Sequence, residues 1–320
     1  MSIGWTIASR LLQTLPVLWC AATLVFCFML VIPGDPARAI AGPRAPDEAV
    51  RLVAADLGLD RPPLERYLAY MGRVAMGDLG KSYVKRQPVA RILGEALVRT
   101  LFLGGAALFL ALVLGIPAGV AAARRGGAVD ALLTAGTTLG ISIPTFWIGL
   151  LFMLAFASHL GWLPVSGYGE GLNLMGIRAP AWRHLILPAA TLAVFPWALV
   201  ARVTRASMLE QMRAGHILAA RARGIRPSAL VWRHSFRNAL GPILTVGGLL
   251  MGTLLGGAIA TEIVYTWPGL GQVMYRALGD RDLMVVEGGV ILLTAIFVAV
   301  NLAVDLTYSL IDPRIRRGRP

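Results

Sequence analysis

The stretch closest to catalytic equipment is Ala75–Ser82, which reads AMGDLGKS. A phosphate loop of the form GxxxxGK[ST] cradles phosphates on backbone N–H groups, and its lysine reaches the terminal ones. Here Ala75 stands where the cradle needs glycine and no strand precedes it, so nucleotide binding is not expected. The four histidines, His159, His184, His216 and His234, have no metal-ligand spacing. No GxSxG nucleophile elbow occurs. Two acids, Glu262 and Asp305, stand at or close to the depth of apolar stretches. A charge at a bilayer centre costs at least about 2.5–3.5 kcal/mol, which favours a role for such residues. A proton relay needs several acids in register, and these two lie near opposite ends of their segments, so interface anchoring is the expectation. The chain therefore reads as a non-enzyme without a cofactor of its own.

The elements that must position these residues are membrane helices. Of 320 residues, 57% are apolar and 15% charged, against about 25% charged in a soluble domain. Mean hydropathy is +0.68. These values exclude a soluble enzyme, a disordered chain and a disulfide-stapled secreted domain. Six stretches are long and charge-poor enough to cross a bilayer: Leu11–Ile32, Thr100–Ala123, Ala131–Ser158, Leu185–Ala201, Ala239–Thr261 and Gly288–Ile311. The fourth is short and holds Pro188 and Pro196, which spanning helices tolerate. Cys20 and Cys27 share the first stretch; seven helical residues separate them by about 10 Å, too far for a disulfide. Bulky Trp19 precedes Cys20, which argues against lipoprotein cleavage, and the apolar run exceeds a signal-peptide core.

A net charge of +13 raises nucleic acid as a partner. Basic cytoplasmic loops explain it better. Arg and Lys divide 15 to 15 between the two sides, but long loops translocate largely regardless of charge. Leaving out the long Pro33–Arg99 loop with its 11 basic residues gives 15 against 4. The richer side holds Arg10, Arg124, Arg125, the Arg202–Arg237 segment and Arg314, Arg316, Arg317 and Arg319, so both termini are expected in the cytoplasm. Residues 33–99 then form an external loop or subdomain, with amphipathic patterns at Asp47–Asp60 and Pro62–Met76. A small subdomain or gate and a plain tether both fit. Gly248, Gly252 and Gly256 stand four apart in the fifth stretch, as do Gly115 and Gly119 in the second. Such faces suit close helix packing, although chance is an alternative in a chain with 36 glycines.

The longest cytoplasmic segment, residues 206–240, carries the most information. Ser207–Arg223 reads as a helix, and Gly224 stands where a left-handed cap belongs. Pro227 can open a second helix at its first turn, running through Leu230, Val231, Trp232 and Phe236. A basic hairpin of this kind suits docking on a soluble partner, or gripping anionic lipid.

This segment resembles the cytoplasmic EAA-xxx-G loop of ABC importer permeases, specifically the dipeptide/oligopeptide/nickel family. Ala219-Ala220-Arg221-Ala222-Arg223-Gly224 matches it, with Leu218 in place of the motif's Glu, and Trp232–Pro242 (WRHSFRNALGP) resembles the peptide branch. Further similar stretches run in order along nearly the whole chain. They are Ile32–Pro36 (IPGDP), Leu57–Asp60 (LGLD), Gly77–Ser82 (GDLGKS), Gly140–Gly149 (GISIPTFWIG), Gly161–Pro164 (GWLP), Leu185–Pro188 (LILP), Ala201–Leu209 (ARVTRASML), Trp267–Gly271 (WPGLG) and Asp312–Arg314 (DPR).

The resemblance implies an all-α integral membrane protein of six transmembrane helices with the type I ABC importer permease fold, residues 1–320 forming one transmembrane domain in the bacterial inner membrane. It implies import of peptides or related small solutes, with glutathione and nickel chelates as alternatives. A proton- or ion-coupled secondary transporter is the rival class, and it would show related halves or interrupted helices at the midplane. The implied partners are a second homologous permease subunit, two ATP-binding subunits that hold ATP and Mg, an extracytoplasmic substrate-binding protein and membrane lipid, with no nucleic acid. The implied coupling residues are Ala219, Ala220, Arg221, Arg223, Gly224 and Ile225.

Overall fold

The computed structural model describes residues 3–31, 37–38, 42, 45–56, 58–169, 171, 173–174, 177–178 and 180–311. Ile32–Pro36, Leu57, Asp312–Arg314 and the remaining C-terminal arginines lie outside them, as does the side chain of Asp305. The chain divides into two compact units, Met1–Val98 with Gly269–Leu302 and Arg99–Pro268 with Ala303–Pro320.

In the first unit, helix α1 (Ile3–Val31) is followed by two amphipathic helices, α2 (Asp47–Asp56) and α3 (Pro63–Ala75). Asp47 and Glu48 suit the positive end of α2, and Pro63 is preorganised for the first turn of α3. Next come the start of α4 (Val89–Arg125), then α10 (Leu270–Gly279) and most of α11 (Leu283–Ile311). Their core joins Val89, Leu93, Ala96, Leu270, Ala277 and Val285. The AMGDLGKS segment is part of this packing. Ser82 is buried and its hydroxyl donates to the Asp282 carboxylate. Its backbone N–H donates to Gln87 O at 2.9 Å, and the Val89 N–H donates to Gly80 O at 3.0 Å. The lysine-serine pair that imitates a phosphate loop thus closes a tight turn.

The second unit takes α4 from Arg99, α5 (Gly127–Ser142), α6 (Thr145–Phe152), α7 (Trp182–Arg213), α8 (Gly215–Ala222) and α9 (Phe236–Val264). Two two-residue strands, Asn173–Leu174 and Ile177–Arg178, pair antiparallel before α7. Its main core gathers Leu103, Ala107, Ala111, Ala189, Leu192, Leu254 and Trp267. Helices α4 and α7 touch backbone to backbone: a Cβ on Gly119 would stand 2.5 Å from Ala201 O, and one on Gly115 would stand 3.1 Å from Trp197 O.

Among the described residues, Val89–Arg125, Trp182–Arg213 and Leu283–Ala303 are each long and apolar enough to cross a bilayer. The fourth stretch, short by sequence, therefore becomes a long helix, because α7 absorbs its prolines and continues past them. The stretch read as a single span at Ala131–Ser158 is instead two helices bent by 106°. Pro144 forces the break: it leaves Ile143 extended (φ −89°, ψ 130°), as the residue before proline prefers. Residues 227–264 also qualify as a bent pair, and Leu12–Phe28 is a shorter apolar helix.

Candidate functional site

The hairpin expected at Ser207–Arg223 is cut differently. Helix α7 runs on to Arg213, because Ser207 and Met208 are buried. Met208 packs there with Val120, Val231, Ala239 and Ile243. Ala214 then takes an extended conformation (φ −66°, ψ 143°) that ends the helix. Its carbonyl accepts the N–H groups of Ile217 and Leu218 at 3.0 and 3.2 Å, and α8 restarts from there.

Helix α8 is pinned on one side and open on the other. Ile217 is 1% exposed, and Ala220, three residues on, shares its inner side half-buried. Leu218, Ala219, Arg221, Ala222 and Arg223 are exposed. His216 Nε2 lies 3.2 Å from the Asn238 amide, tying α8 to the base of α9. The end of α8 is a Schellman cap: the Ile225 N–H donates to Ala220 O at 3.3 Å and the Gly224 N–H to Arg221 O at 3.0 Å. That geometry puts Gly224 at φ +77°, where a Cβ is strained although no neighbouring atom lies within 4 Å of it.

Beyond the cap, Pro227 opens a short α-turn as its type predicts, and Leu230–Ser235 continues as π-helix into α9. Leu230 and Val231 are buried, while Trp232 stays half exposed edge-on to Phe236. Arg226, Arg233 and Arg237 are exposed, as are Arg221 and Arg223 of the turn itself. Arg205, lower on α7, is engaged by both carboxylate oxygens of Asp130. The arrangement offers a short capped helix with exposed Leu218, small residues and two exposed arginines, Arg221 and Arg223. It is suited to binding, and it holds no nucleophile beside a base.

A second cluster was not legible as a unit. Glu262 is fully buried, which corrects the expectation that it anchors an interface. Thr100 Oγ1 donates to its carboxylate at 2.6 Å. The Trp267 backbone N–H donates to Glu262 O at 2.8 Å, and the indole N–H donates to Arg99 O at 3.1 Å. Trp267 meets the Tyr168 ring at 4.8 Å, and the Arg99 guanidinium lies over that ring at 5.4 Å. Burial pushes the Tyr168 phenol up, against the lowering influence of Arg99. The WPG sequence was the only local signal. Of the α9 glycines, Gly252 is buried and Gly248 half-buried, while a Cβ on Gly256 would meet no atom of the chain within 4 Å. Among the described residues no group of three or more His, Cys, Asp or Glu is placed to hold a metal.

Residues 115–317 match the family described as binding-protein-dependent transport system inner membrane component, and residues 5–104 match its N-terminal counterpart. The di/tripeptide transport system permease protein of Pseudomonas aeruginosa (strain UCBPP-PA14) is 40% identical over 98% of this chain and 99% of its own. The glutathione transport system permease protein of Escherichia coli (strain K12) is 38% identical over 97% and 98%. Among solved structures, the inward-facing MetNI methionine ABC transporter gives a TM-score of 0.54 at 21% identity, covering 69% of this chain and 96% of that one. An amino acid ABC transporter with histidines gives 0.52 at 17%, covering 70% and 94%. These two likenesses establish the fold.

Proposed function

The chain belongs to the family of binding-protein-dependent transport system inner membrane components, and we propose that its 219–225 turn is the point where an ATP-hydrolysing partner grips the permease. The protein is a multi-pass permease subunit of an ABC importer in the inner membrane. Its cargo is short peptides of two or three residues, a reading supported by relatives named for di/tripeptides and for the tripeptide glutathione. A second permease subunit completes the pathway, and an extracytoplasmic binding protein delivers cargo. Two ATP-binding subunits hold ATP and Mg, so this chain is the non-catalytic member. Both termini lie in the cytoplasm, as the short-loop charge count supports.

One observation carries the coupling reading: α8 is fixed to its own chain by Ile217, His216 and the Gly224 cap while its outer side stays open. A lever needs both a rigid attachment and a free contact face. Movement of the bound ATPases then passes through α8 into α7 and α9, as a two-state element linking two sites.

The test is the assembled transporter with Gly224→Asp, followed by peptide uptake and co-purification of the ATPase subunits. The expected result is normal insertion with strongly reduced uptake, the ATPases either lost or cycling idly. Normal uptake with full ATPase retention would remove the coupling role. The lipid-gripping alternative makes the opposite demand, that Arg221→Ala with Arg223→Ala harms uptake more than Gly224→Asp does.

A further inference from the structure

The corner between α4 and α5 is two glycines. Gly126 and Gly127 stand at φ +60° and +52°, where a side chain is strained, and a Cβ on either would meet no atom of the chain within 4 Å. No neighbouring atom packs on the corner, so contacts on either side of it must set the direction in which α5 leaves. The α4 side is held at Gly119, where a Cβ would stand 2.7 Å from Thr204 Cβ and 3.0 Å from the Arg205 backbone nitrogen of α7. On the α5 side the apolar packing starts further in. Leu133 lies with Ala122 and Ala201, and a Cβ on Gly140 would stand 3.1 Å from Val194 Cγ1.

The first turn of α5 is engaged through Asp130. Its Oδ1 accepts from Arg205 Nε and its Oδ2 from Arg205 Nη2. A two-point fork of this kind fixes orientation as well as distance, which a single exposed ion pair does not. The pair is also partly withdrawn from water, with the Arg205 side chain 33% and the Asp130 side chain 26% exposed. Leu133, Thr137 and Gly140 are buried without help from Asp130, so the pair adds direction to the first turn rather than burial. Arg205 thus serves three helices. Its backbone lies on α4, its side chain grips α5, and its own helix α7 runs on for about 13 Å before Ala214 ends it and α8 begins.

We propose that Arg205 is a positioning residue of the transport cycle: through Asp130 it keys α5 to the α4–α7 pair, so that these three helix ends move as one body. The proposal rests on the reading of α8 as the point where the permease is driven. Without the key, the glycine corner leaves the start of α5 free to lag behind α7. Movement of α7 then no longer carries α5 and the bent helix α6 beyond it.

The test is a spin-label distance between α5 and α7 in the complete transporter, with its ATPases and binding protein, in lipid nanodiscs. In a Cys20→Ser, Cys27→Ser background the labels go on Leu132→Cys and Ala206→Cys, both exposed sites. With the pair intact, one narrow distance is expected, the same without nucleotide and with ATP and vanadate trapped. In Asp130→Asn the distance should broaden or shift with nucleotide and peptide uptake should fall several-fold, while the ATPases still co-purify and hydrolyse ATP. Arg205→Lys keeps the charge but loses the fork, and should fall between the two. It decides the matter alone if Asp130→Asn does not accumulate. A distance as narrow and as constant in the variants as in the parent would overturn the proposal, since apolar packing then suffices. So would a parent distance that itself changes with nucleotide. Failure of the α8 reading shows elsewhere, as normal uptake in Gly224→Asp, and leaves the distance result standing.

Discussion

The α8 turn and the Glu262 cluster place charged and small residues in opposite circumstances. Around α8, the arginines are exposed, the backbone is closed by a cap made within seven residues, and one buried isoleucine holds the helix down. Around Glu262, the partners come from positions 99–100, 168 and 267, and the carboxylate and the indole are wholly buried. The first region is inexpensive to alter, and in the proposed coupling role it acts only through a partner. The second is costly to alter and serves the chain's own packing. Stability and coupling should therefore respond to mutation in opposite orders.

Trp267→Ala is the most severe test of the packing side. Emptying a fully buried indole site should cost about 3–5 kcal/mol, read as loss of folded transporter in equilibrium unfolding from mixed micelles. A loss below about 1 kcal/mol, within the ordinary range for exposed sites, would show that the cluster is not a packing centre. Thr100→Val keeps shape but removes the donor to Glu262, leaving a buried acceptor short of a partner at a cost of about 1–3 kcal/mol. Restoring the donor with Thr100→Ser should recover most of that loss, and failure to recover would mean that the hydroxyl is not what matters.

Gly224→Ala lies between the two sides. Its Cβ meets open space, so the expected cost is the left-handed strain alone, about 1–2 kcal/mol, with partial loss of uptake as the cap loosens. An unchanged unfolding midpoint would mean that the cap relaxes without strain. Ala219→Glu should have the smallest effect on stability, within about 0.5 kcal/mol, since the side chain points outward. Its uptake should nevertheless fall at least as far as that of Gly224→Ala, because an acid then stands in the proposed contact face. Ala220→Glu is a less direct probe, since Ala220 shares the side held by Ile217. If Ala219→Glu transports normally, the outer face of α8 touches nothing essential.

What was legible in the sequence was what is settled locally. Gly224 follows a run of helix formers and precedes Pro227, and both took the positions their backbone preferences demand. Among the described residues three of the six apolar runs became unbroken helices long enough to cross, because length against bilayer thickness is a one-dimensional constraint. The break at Ala214 was not visible: every residue from Ser207 to Arg213 suits a helix, and the chain turns because α7 is held in the core to that point. The bend at Pro144 carried a readable signal, which the length of the apolar run masked. Burial of Glu262 depends on Thr100, 162 positions away, and no local pattern announces such a pairing.

The glycine contacts between α4 and α7 have a mechanical consequence. With Gly119 against Ala201 O and Gly115 against Trp197 O, α4 contributes no side chain at these two points, and Val200 and Thr204 of α7 pack directly on its backbone. A roll of α4 would bring a side chain into a contact that has no room for a Cβ, so the pair resists rolling. In the proposed coupling role, motion passed to α8 is then not absorbed by rolling within this pair. It is taken up where the backbone leaves helical geometry, and Ala214, directly before α8, is the nearest such joint on the α7 side.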